Sequence, residues 1–273
     1  MSKQKDRYIN PLTDFGFKKL FGVEPNKDLL IDFLNEIVPN RKIIDLSYSS
    51  NEHFGQSKID RKAIFDIYCV GDKGERFIAE MQKAKQNYFK DRSVFYSSFP
   101  IQEQAQKGEW NFRLEAVYSI GILDFKFDNK KDDDELLHLV ELKNQRCEVF
   151  YDKLKFIYIE LPKFTKGENE LKTHFDKWLY VFTHLWKLEK RPKKLQEKVF
   201  KKLFEVAEIA KFSEKERKEY QESLKNYRDI KNVVDTAKVD GKKEVAKKMK
   251  EKGMSISDIK DLTGLGDDEI AEL

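Results

Sequence analysis

The apolar positions at the start of the chain follow the period of two helices. Residues 13–21 place three apolar side chains on one helical face, and Thr13 or Asp14 can cap that helix. Residues 28–38 repeat apolar side chains at helical spacing and stop before Pro39, which disfavours a helical residue ahead of it. We therefore expect a pair of helices before the first strand.

The pattern then changes to the β-branched and aromatic content of strands. Three short segments have this character, at residues 42–48, 63–70 and 76–81. The turn-forming residues 71–74 (GDKG) separate the last two segments. We therefore expect these two strands to form a β-hairpin.

A helix is predicted over residues 87–107, where the chain has no glycine, and Pro100 should kink or divide it. Three more strands are predicted at residues 116–125, 136–143 and 155–161, each apolar enough to lie in the centre of a sheet. The predicted order is thus two helices, three strands, one helix and three strands.

The last third of the chain has a helical pattern. Residues 171–188 are rich in aromatic side chains, and two short helices are expected at residues 255–263 and 267–273, with Ser257 and Asp267 as caps. We therefore expect the chain to end in helices.

These elements divide the chain into three parts. Residues 1–165 predict an α/β core with a mixed central sheet flanked by helices. Residues 166–235 predict a helical extension packed on or beside that core, and residues 236–273 predict a basic helix followed by a short helical hairpin.

The composition excludes several classes of protein. The 21 Phe, 11 Tyr and 3 Trp supply the bulk of a packed core, which excludes global disorder. No apolar run approaches the roughly 20 residues that cross a bilayer, and residues 1–10 lack the apolar region of a secretory signal. We therefore expect a soluble, cytoplasmic protein with no membrane partner.

Cysteine and glycine usage narrows the chemistry further. Cys69 and Cys147 show no metal-type spacing, so we expect neither a disulfide scaffold nor a zinc ribbon. No Gly-rich phosphate loop is present, so we expect no nucleotide cofactor.

The net charge of +4 lies wholly in residues 190–273, where several segments are rich in lysine. Such a basic stripe can neutralise the phosphates of nucleic acid, and a solvated helix face with Glu/Lys pairs gives the same pattern. The charge is therefore compatible with DNA binding without requiring it.

The predicted hairpin carries two carboxylates inside apolar strands, Asp66 and Glu80. Glu80 shares a face of its strand with Gln82 because side chains alternate. If the turn pairs residues whose numbers add up to about 145 or 146, Asp66 lies opposite Ala79 or Glu80. The side chains of Asp66 and Glu80 are then within direct or diagonal cross-strand contact. Two carboxylates this close repel each other unless a cation lies between them, and Mg²⁺ prefers such hard oxygen ligands.

Two other interpretations of the acidic residues stay open. In the first, Glu80 and Gln82 lie on the solvent face of an edge hairpin, with Lys83 or Lys85 as ion-pair partners. In the second, the site lies at residues 141–143 (ELK), after the acidic run at 132–135, although that run is typical of a solvated turn.

Four segments in this order resemble a known group, the PD-(D/E)XK nuclease superfamily, and within it the Rpn family of recombination-promoting nucleases, also described as putative transposases. The segments are residues 10–22 (NPLTDFGFKKLFG), 64–67 (IFDI), 77–82 (FIAEMQ) and 88–96 (YFKDRSVFY). A fifth, residues 159–164 (IELPKF), is similar to the segment with which such chains close the sheet. The resemblance covers residues 1 to about 230.

The resemblance implies a restriction-endonuclease-like core and a DNA endonuclease that depends on Mg²⁺ or Mn²⁺, has little sequence specificity and is linked to recombination or mobile DNA. It implies that Asp66 and Glu80 bind the metal, together with the main-chain carbonyl of Met81. Gln82 stands where the superfamily usually has lysine, and a neutral amide can orient the attacking water but cannot deprotonate it. Some members carry glutamine there, so we still expect activity.

The resemblance also suggests accessory residues. The acid contributed by a helix is Glu36 or, less favoured, Asp14. Lys83 or Lys85 would compensate for the missing lysine. Lys83 faces away from Gln82 if the strand continues that far, and Lys85 is the better candidate only if the strand ends first. Arg92 and Tyr96 lie one helical turn apart, and they either face the site or a phosphate or pack the helix on the sheet.

Two alternative functions remain. Gln82 is compatible with a catalytically silent nuclease fold that only binds DNA. The helical tail is compatible with a protein-interaction module, and its terminal hairpin with a helix-turn-helix, with the interface of a homodimer or with simple packing.

Overall fold

A computed structural model of the protein describes residues 6–49, 52–53, 63–105, 111–127 and 134–273. The predicted helix end at 106–107 and residues 132–133 of the acidic run lie outside these ranges. Contacts divide the chain into two compact units, Met1–Leu224 and Lys225–Leu273.

The described helices and strands follow the predicted order, with one strand that was not predicted, at Glu52–His53. The helices are α1 (Asp14–Phe21), α2 (Lys27–Ile37), α3 (Phe89–Gln102), α4 (His174–His184), α5 (Lys198–Ala207), α6 (Glu214–Glu251), α7 (Ile256–Thr263) and α8 (Asp267–Ala271). The strands are β1 (Leu46–Tyr48), β2 (Glu52–His53), β3 (Ala63–Ile64), β4 (Ile67–Gly71), β5 (Arg76–Gln82), β6 (Val117–Leu123), β7 (Leu137–Lys143) and β8 (Val149–Glu160).

The first unit is built around a six-stranded mixed sheet in the order β1-β4-β5-β6-β8-β7. The pairs β5/β6 and β6/β8 are parallel, while β1/β4, β4/β5 and β7/β8 are antiparallel. Every residue of β6 is buried, as expected for a strand covered on both faces. The sheet flanked by helices and the helical C-terminal region confirm the predicted fold class.

An aromatic cluster joins the helices of the first unit. Trp178 of α4 is fully buried, and its ring lies 5.1–5.7 Å from those of Phe21, Phe33 and Phe200. Its indole N–H donates to Asp32 Oδ1 at 2.7 Å, which satisfies the one polar atom of the ring. The aromatic side chains of residues 171–188 thus form part of the core.

The opening motif begins α1 with a compact hydrogen-bonded cap. Thr13 is the N-cap, and its hydroxyl accepts from the Gly16 amide at 3.0 Å and donates to the Asn10 carbonyl at 2.7 Å. The Asn10 amide donates to the Tyr220 hydroxyl of α6 at 2.9 Å. The cap is therefore fixed against the helix that follows the core.

Gly16→Ala is expected to lower the free energy of unfolding by at least about 2 kcal/mol, because no room exists for a side chain. A Cβ there would lie inside contact distance of the Asn10 carbonyl oxygen and 2.7 Å from Thr13 Oγ1. Gly241→Ala is the control, since nothing lies within 4 Å of its Cβ and helix propensity favours alanine. Urea unfolding of both variants measures the difference, and equal stabilities would contradict the steric argument.

The predicted strand at 42–48 is shorter in the structure, where only residues 46–48 pair. The reason lies in α2: the Asn35 amide accepts from the Ile43 N–H at 2.7 Å and donates to its carbonyl at 2.9 Å. A side chain therefore takes the backbone groups that a strand would have used.

The predicted continuous strand at 63–70 is interrupted at Phe65 and Asp66. Strict alternation would send Phe65 and Tyr68 to opposite faces, yet both belong to one buried cluster with Ile78 and Phe99. The chain turns so that two aromatic rings enter the same core, and this turn also sets the direction of the Asp66 side chain.

β7 is an edge strand, so its predicted central position is wrong. β8 pairs with β6 on one side and with β7 on the other, which leaves β7 at the end of the sheet. Leu139, Val140 and Leu142 are correspondingly exposed. Hydrophobicity alone did not distinguish this edge from the buried centre.

Local details also differ from prediction. α3 is not divided at Pro100 but continues to Gln102. Ser255, whose hydroxyl accepts from the Asp258 amide, caps α7 in place of Ser257, and Gly266 precedes α8 in place of Asp267.

The second unit has a small core of its own, formed by Ala246, Ile259, Leu265 and Ile270. No helix among the described residues combines the length and apolar character needed to cross a membrane.

Candidate active site

The hairpin of β4 and β5 brings two acidic residues together. Ile67 pairs with Ala79 and Tyr68 with Ile78, which confirms the register predicted from the turn. Asp66 immediately precedes β4, and its Oδ2 accepts from the Met81 amide at 2.8 Å. Asp66 is therefore held against β5 next to Glu80, and the two carboxylates lie in the same part of the sheet.

The main-chain carbonyl of Met81 points towards the side of β5 on which Asp66 lies. The N–H and C=O of one strand residue face the same edge of the strand, and the Met81 N–H is directed at Asp66. The next carbonyl, that of Gln82, faces β6 and accepts from the Asp124 amide at 2.9 Å. The backbone thus adds an oxygen on the side where Asp66 lies.

Glu80 has one fixed oxygen and one open oxygen. Its Oε2 accepts from Gln82 Nε2 at 2.9 Å. Its Oε1 is buried without a hydrogen-bond partner, and the side chain as a whole is 14% exposed. A buried acceptor without a partner is costly, and a bound cation would satisfy it.

Burial raises the pKa of both acidic side chains. Loss of solvent raises the pKa of Glu80 to about 8, and the nearby Asp66 carboxylate acts in the same direction. Burial also raises the pKa of Asp66, although the hydrogen bond from Met81 opposes this. The residues present fit a divalent cation, which would favour both ionised forms.

The cation would have few protein ligands. Among the described residues there is no group of three or more His, Cys, Asp or Glu side chains that could hold a metal ion. Two carboxylates and a main-chain carbonyl match the needs of Mg²⁺, which retains several waters when it binds to proteins.

Gln82 acts on Glu80 rather than standing free. The side-chain amide of Gln82 donates to Glu80 Oε2. This hydrogen bond holds the carboxylate so that Glu80 Oε1 is turned away from Gln82. Lys85 donates to the Phe127 carbonyl and is not brought to the acidic pair, whereas the charge of Lys83 lowers the pKa of Asp66.

α3 faces the acidic pair with Arg92 and Tyr96. A guanidinium nitrogen of Arg92 lies 4.0 Å from Glu80 Oε2, and the same group lies over the Tyr96 ring at 5.6 Å. Tyr96 also packs on Phe65, with ring centroids 5.4 Å apart. Burial raises the pKa of the Tyr96 hydroxyl, and the charge of Glu80 adds to the effect. Arg92 faces the site, and Tyr96 both faces it and packs α3 on the sheet.

A recess beside Glu80 contains residues that sequence reasoning did not select. Gly121 of β6 lies between Glu80 of β5 and Tyr158 of β8 in the sheet register. A Cβ on Gly121 would lie 2.9 Å from the Tyr158 ring, so glycine is required there. Ser93 and Ser119 also line the recess. The available signal was a glycine inside a buried strand, which marks a close approach.

Of the two candidate helical acids, Asp14 is electrostatically coupled to Asp66. Its charge raises the pKa of Asp66, and Lys18, which forms an ion pair with Asp14 at 2.9 Å, lowers it. Glu36 is exposed on α2 and is not among the charges that act on Asp66.

The rival acid, Glu141, is already neutralised. It forms ion pairs with Lys155 at 2.8 Å and Lys143 at 3.6 Å on the edge strand. The hydrogen bond from Lys155 lowers the pKa of Glu141, which is opposite to the shift at Glu80. Glu141 therefore lacks an open, destabilised carboxylate.

Glu160, from the fifth sequence segment, is a second buried acid and is fully partnered. It accepts from the Phe127 amide at 2.8 Å and contacts His138 at 2.6 Å and Lys163 at 2.8 Å. These partners connect β7, β8 and the residues after β6, so Glu160 stabilises the sheet rather than offering an open ligand.

The terminal hairpin is poorly suited to reading DNA. α8 begins with Asp267, Asp268 and Glu269, which would meet phosphates with negative charge where a recognition helix would lie. The helix-turn-helix alternative is therefore disfavoured.

Comparison with protein families matches residues 11–237 to a family described as PD-(D/E)XK nuclease family transposase. Comparisons with curated proteins and with solved structures find no match. The family match covers more than half of the chain and confirms the resemblance carried by the sequence motifs.

Proposed function

This chain belongs to the PD-(D/E)XK nuclease family transposases, and from that premise we propose that it is a divalent-metal-dependent DNA endonuclease of little sequence specificity. The family is one of nucleases linked to mobile DNA. The observation that supports the proposal best is the buried Glu80 Oε1 without a partner beside Asp66.

The acidic pair would supply the metal ligands. Asp66, Glu80 and the Met81 carbonyl would hold Mg²⁺ or Mn²⁺, and a bound ion of this kind polarises a phosphodiester and lowers the pKa of attacking water. Gln82 orients Glu80 through its hydrogen bond. Because Gln82 cannot accept a proton in place of lysine, it would act in positioning and not as a base.

Arg92 would contribute positive charge where the phosphate reacts. Its guanidinium lies 4.0 Å from Glu80 and can donate several hydrogen bonds to phosphate oxygens. Such preorganised charge stabilises the negative charge that develops during hydrolysis. Phosphate contacts carry no base information, which supports low sequence specificity.

The proposal extends to the cellular location and the oligomeric state of the protein. Cys69 and Cys147 are free thiols, which fits a reducing cytoplasm. Because one such site cuts one strand at a time, cleavage of both DNA strands would favour a homodimer.

The test is nicking of supercoiled plasmid by the whole protein with Mg²⁺, with Mn²⁺ or with EDTA. We expect nicking with either metal and none with EDTA, and we expect Asp66→Asn to remove it. A parent protein that shifts DNA on a gel but never nicks it would overturn the proposal. That result would favour the silent DNA-binding fold, with Gln82 as its reason.

A further inference from the structure

Tyr88 projects from the protein immediately before α3. Its side chain is 80% exposed, whereas the next residue, Phe89, is buried. The Phe89 ring lies 5.6–5.8 Å from the rings of Phe125, Phe127 and Tyr158. Phe89 thus anchors the start of α3, and the ring of Tyr88 is held outside it.

The backbone at Tyr88 is in the left-handed region, with φ 60° and ψ 28°. Glycine and asparagine adopt this conformation readily, and a bulky side chain does so rarely. The Tyr88 ring gains little burial in return. Fold stability therefore does not explain an aromatic residue at this position, and such backbone outliers cluster at functional sites.

Two lysines flank Tyr88 in the sequence. The Lys85 ammonium donates to the Phe127 carbonyl, and the Lys90 ammonium lies 5.4 Å from the centre of the Phe127 ring. Both lysines are exposed, as is the neighbouring Asp91. The segment thus carries an exposed aromatic residue between two lysines in the sequence, and Phe127 contacts both lysines.

This segment is next to the candidate active site. The Arg92 amide donates to the Tyr88 carbonyl at 2.9 Å, in the first turn of the helix. The Arg92 side chain reaches to 4.0 Å from Glu80 Oε2. One helical turn therefore separates the exposed ring from the residue that faces the acidic pair.

We propose that Tyr88 stacks on an unpaired base of the DNA substrate, so that the protein prefers DNA with unpaired bases to fully paired duplex. This inference rests on the proposed action on DNA. Aromatic rings stack on any base, and lysines bind the adjacent phosphates, so this mode of binding has little sequence specificity. In duplex DNA the neighbouring base pairs cover both faces of each base, which leaves the ring no place to stack.

Two variants of the whole protein separate this role from a structural one. Tyr88→Asn removes the ring but tolerates the left-handed backbone, and Tyr88→Phe retains the ring. The matched control is Phe150→Thr, because Phe150 is 82% exposed on β8. Fluorescence anisotropy in EDTA measures binding to a labelled duplex with an internal unpaired segment and to its fully paired counterpart.

We expect the parent, Tyr88→Phe and Phe150→Thr to prefer the unpaired substrate by about tenfold. Tyr88→Asn is expected to lose this preference without a lower melting temperature. Equal preference in Tyr88→Asn and the parent, or no DNA binding by the parent, would overturn the inference. Loss of preference in Phe150→Thr as well would also overturn it.

The outcome is distinguishable from that of the proposed function. Metal-dependent nicking by the parent without a preference that depends on Tyr88 would overturn only this inference. A preference that depends on Tyr88 in a protein that never nicks would overturn the nuclease proposal and leave base stacking in place.

Discussion

Glu80→Gln is expected to reduce metal-dependent nicking more than about a hundredfold, since loss of groups that merely support a metal ligand already costs roughly 10- to 100-fold. The amide has nearly the shape of the carboxylate and can still accept the hydrogen bond from Gln82 Nε2. It lacks the negative charge that would hold a divalent cation. The loss should therefore come from the metal and not from the fold.

The matched control is Glu141→Gln, which replaces the acid of the other acid–spacer–lysine sequence. Glu141 already forms an ion pair with Lys155 across the β7/β8 strand pair. We expect this variant to nick plasmid at a rate close to that of the parent. A Glu80→Gln protein that keeps more than about a tenth of the parent rate would exclude Glu80 as a ligand.

The metal-free protein is expected to lose stability as pH rises from 5 to above 8, by up to about 5 kcal/mol. The cause is Glu80, whose pKa moves from an ordinary 4.5 to about 8 through burial and the adjacent Asp66. Between these two values the folded state holds a proton that the unfolded state has lost. The stabilisation is therefore complete below pH 4.5 and disappears as pH passes through 8.

Urea unfolding in EDTA at several pH values measures this dependence, and Glu80→Gln isolates its source. The variant should show a much flatter decline because an amide does not titrate. Burial lowers the pKa of His184, which adds stability with rising pH in both proteins, so their difference at each pH belongs to Glu80. Parallel pH profiles for the two proteins would contradict the assignment.

Added Mg²⁺ should restore stability to the parent, with a larger effect at pH 8 than at pH 6. A metal ligand must be deprotonated, so the proton and the cation compete for Glu80. No such effect is expected in Glu80→Gln. This comparison tests metal binding without any measurement of cleavage.

Much of the site could be predicted because it depends on local periodicity. The four residues of the turn after β4 set the hairpin register, and alternation along β5 places Glu80 and Gln82 on one face. These two features were enough to bring Asp66 near Glu80 without knowledge of the remaining sheet.

Other parts of the site depend on contacts between distant segments. The charge coupled to Asp66 comes from Asp14 of α1 and not from Glu36 of α2, and nothing local in either helix distinguishes them. Gly121 has to be glycine because the ring of Tyr158 lies against it on the next strand. These contacts between distant residues depend on the order of strands in the sheet, and the periodicity of the sequence does not encode that order.

The sequence by itself determined most of the order of helices and strands and the hairpin register that brings Asp66 near Glu80. The tertiary structure decided that β7 lies at the edge, that the chain turns at Phe65 to fill a shared core, and that Glu80 is buried with one open oxygen. The physical reason is the distance along the chain over which each interaction acts. Backbone alternation and turn chemistry act over a few residues, whereas burial and the pKa of Glu80 depend on everything packed around it.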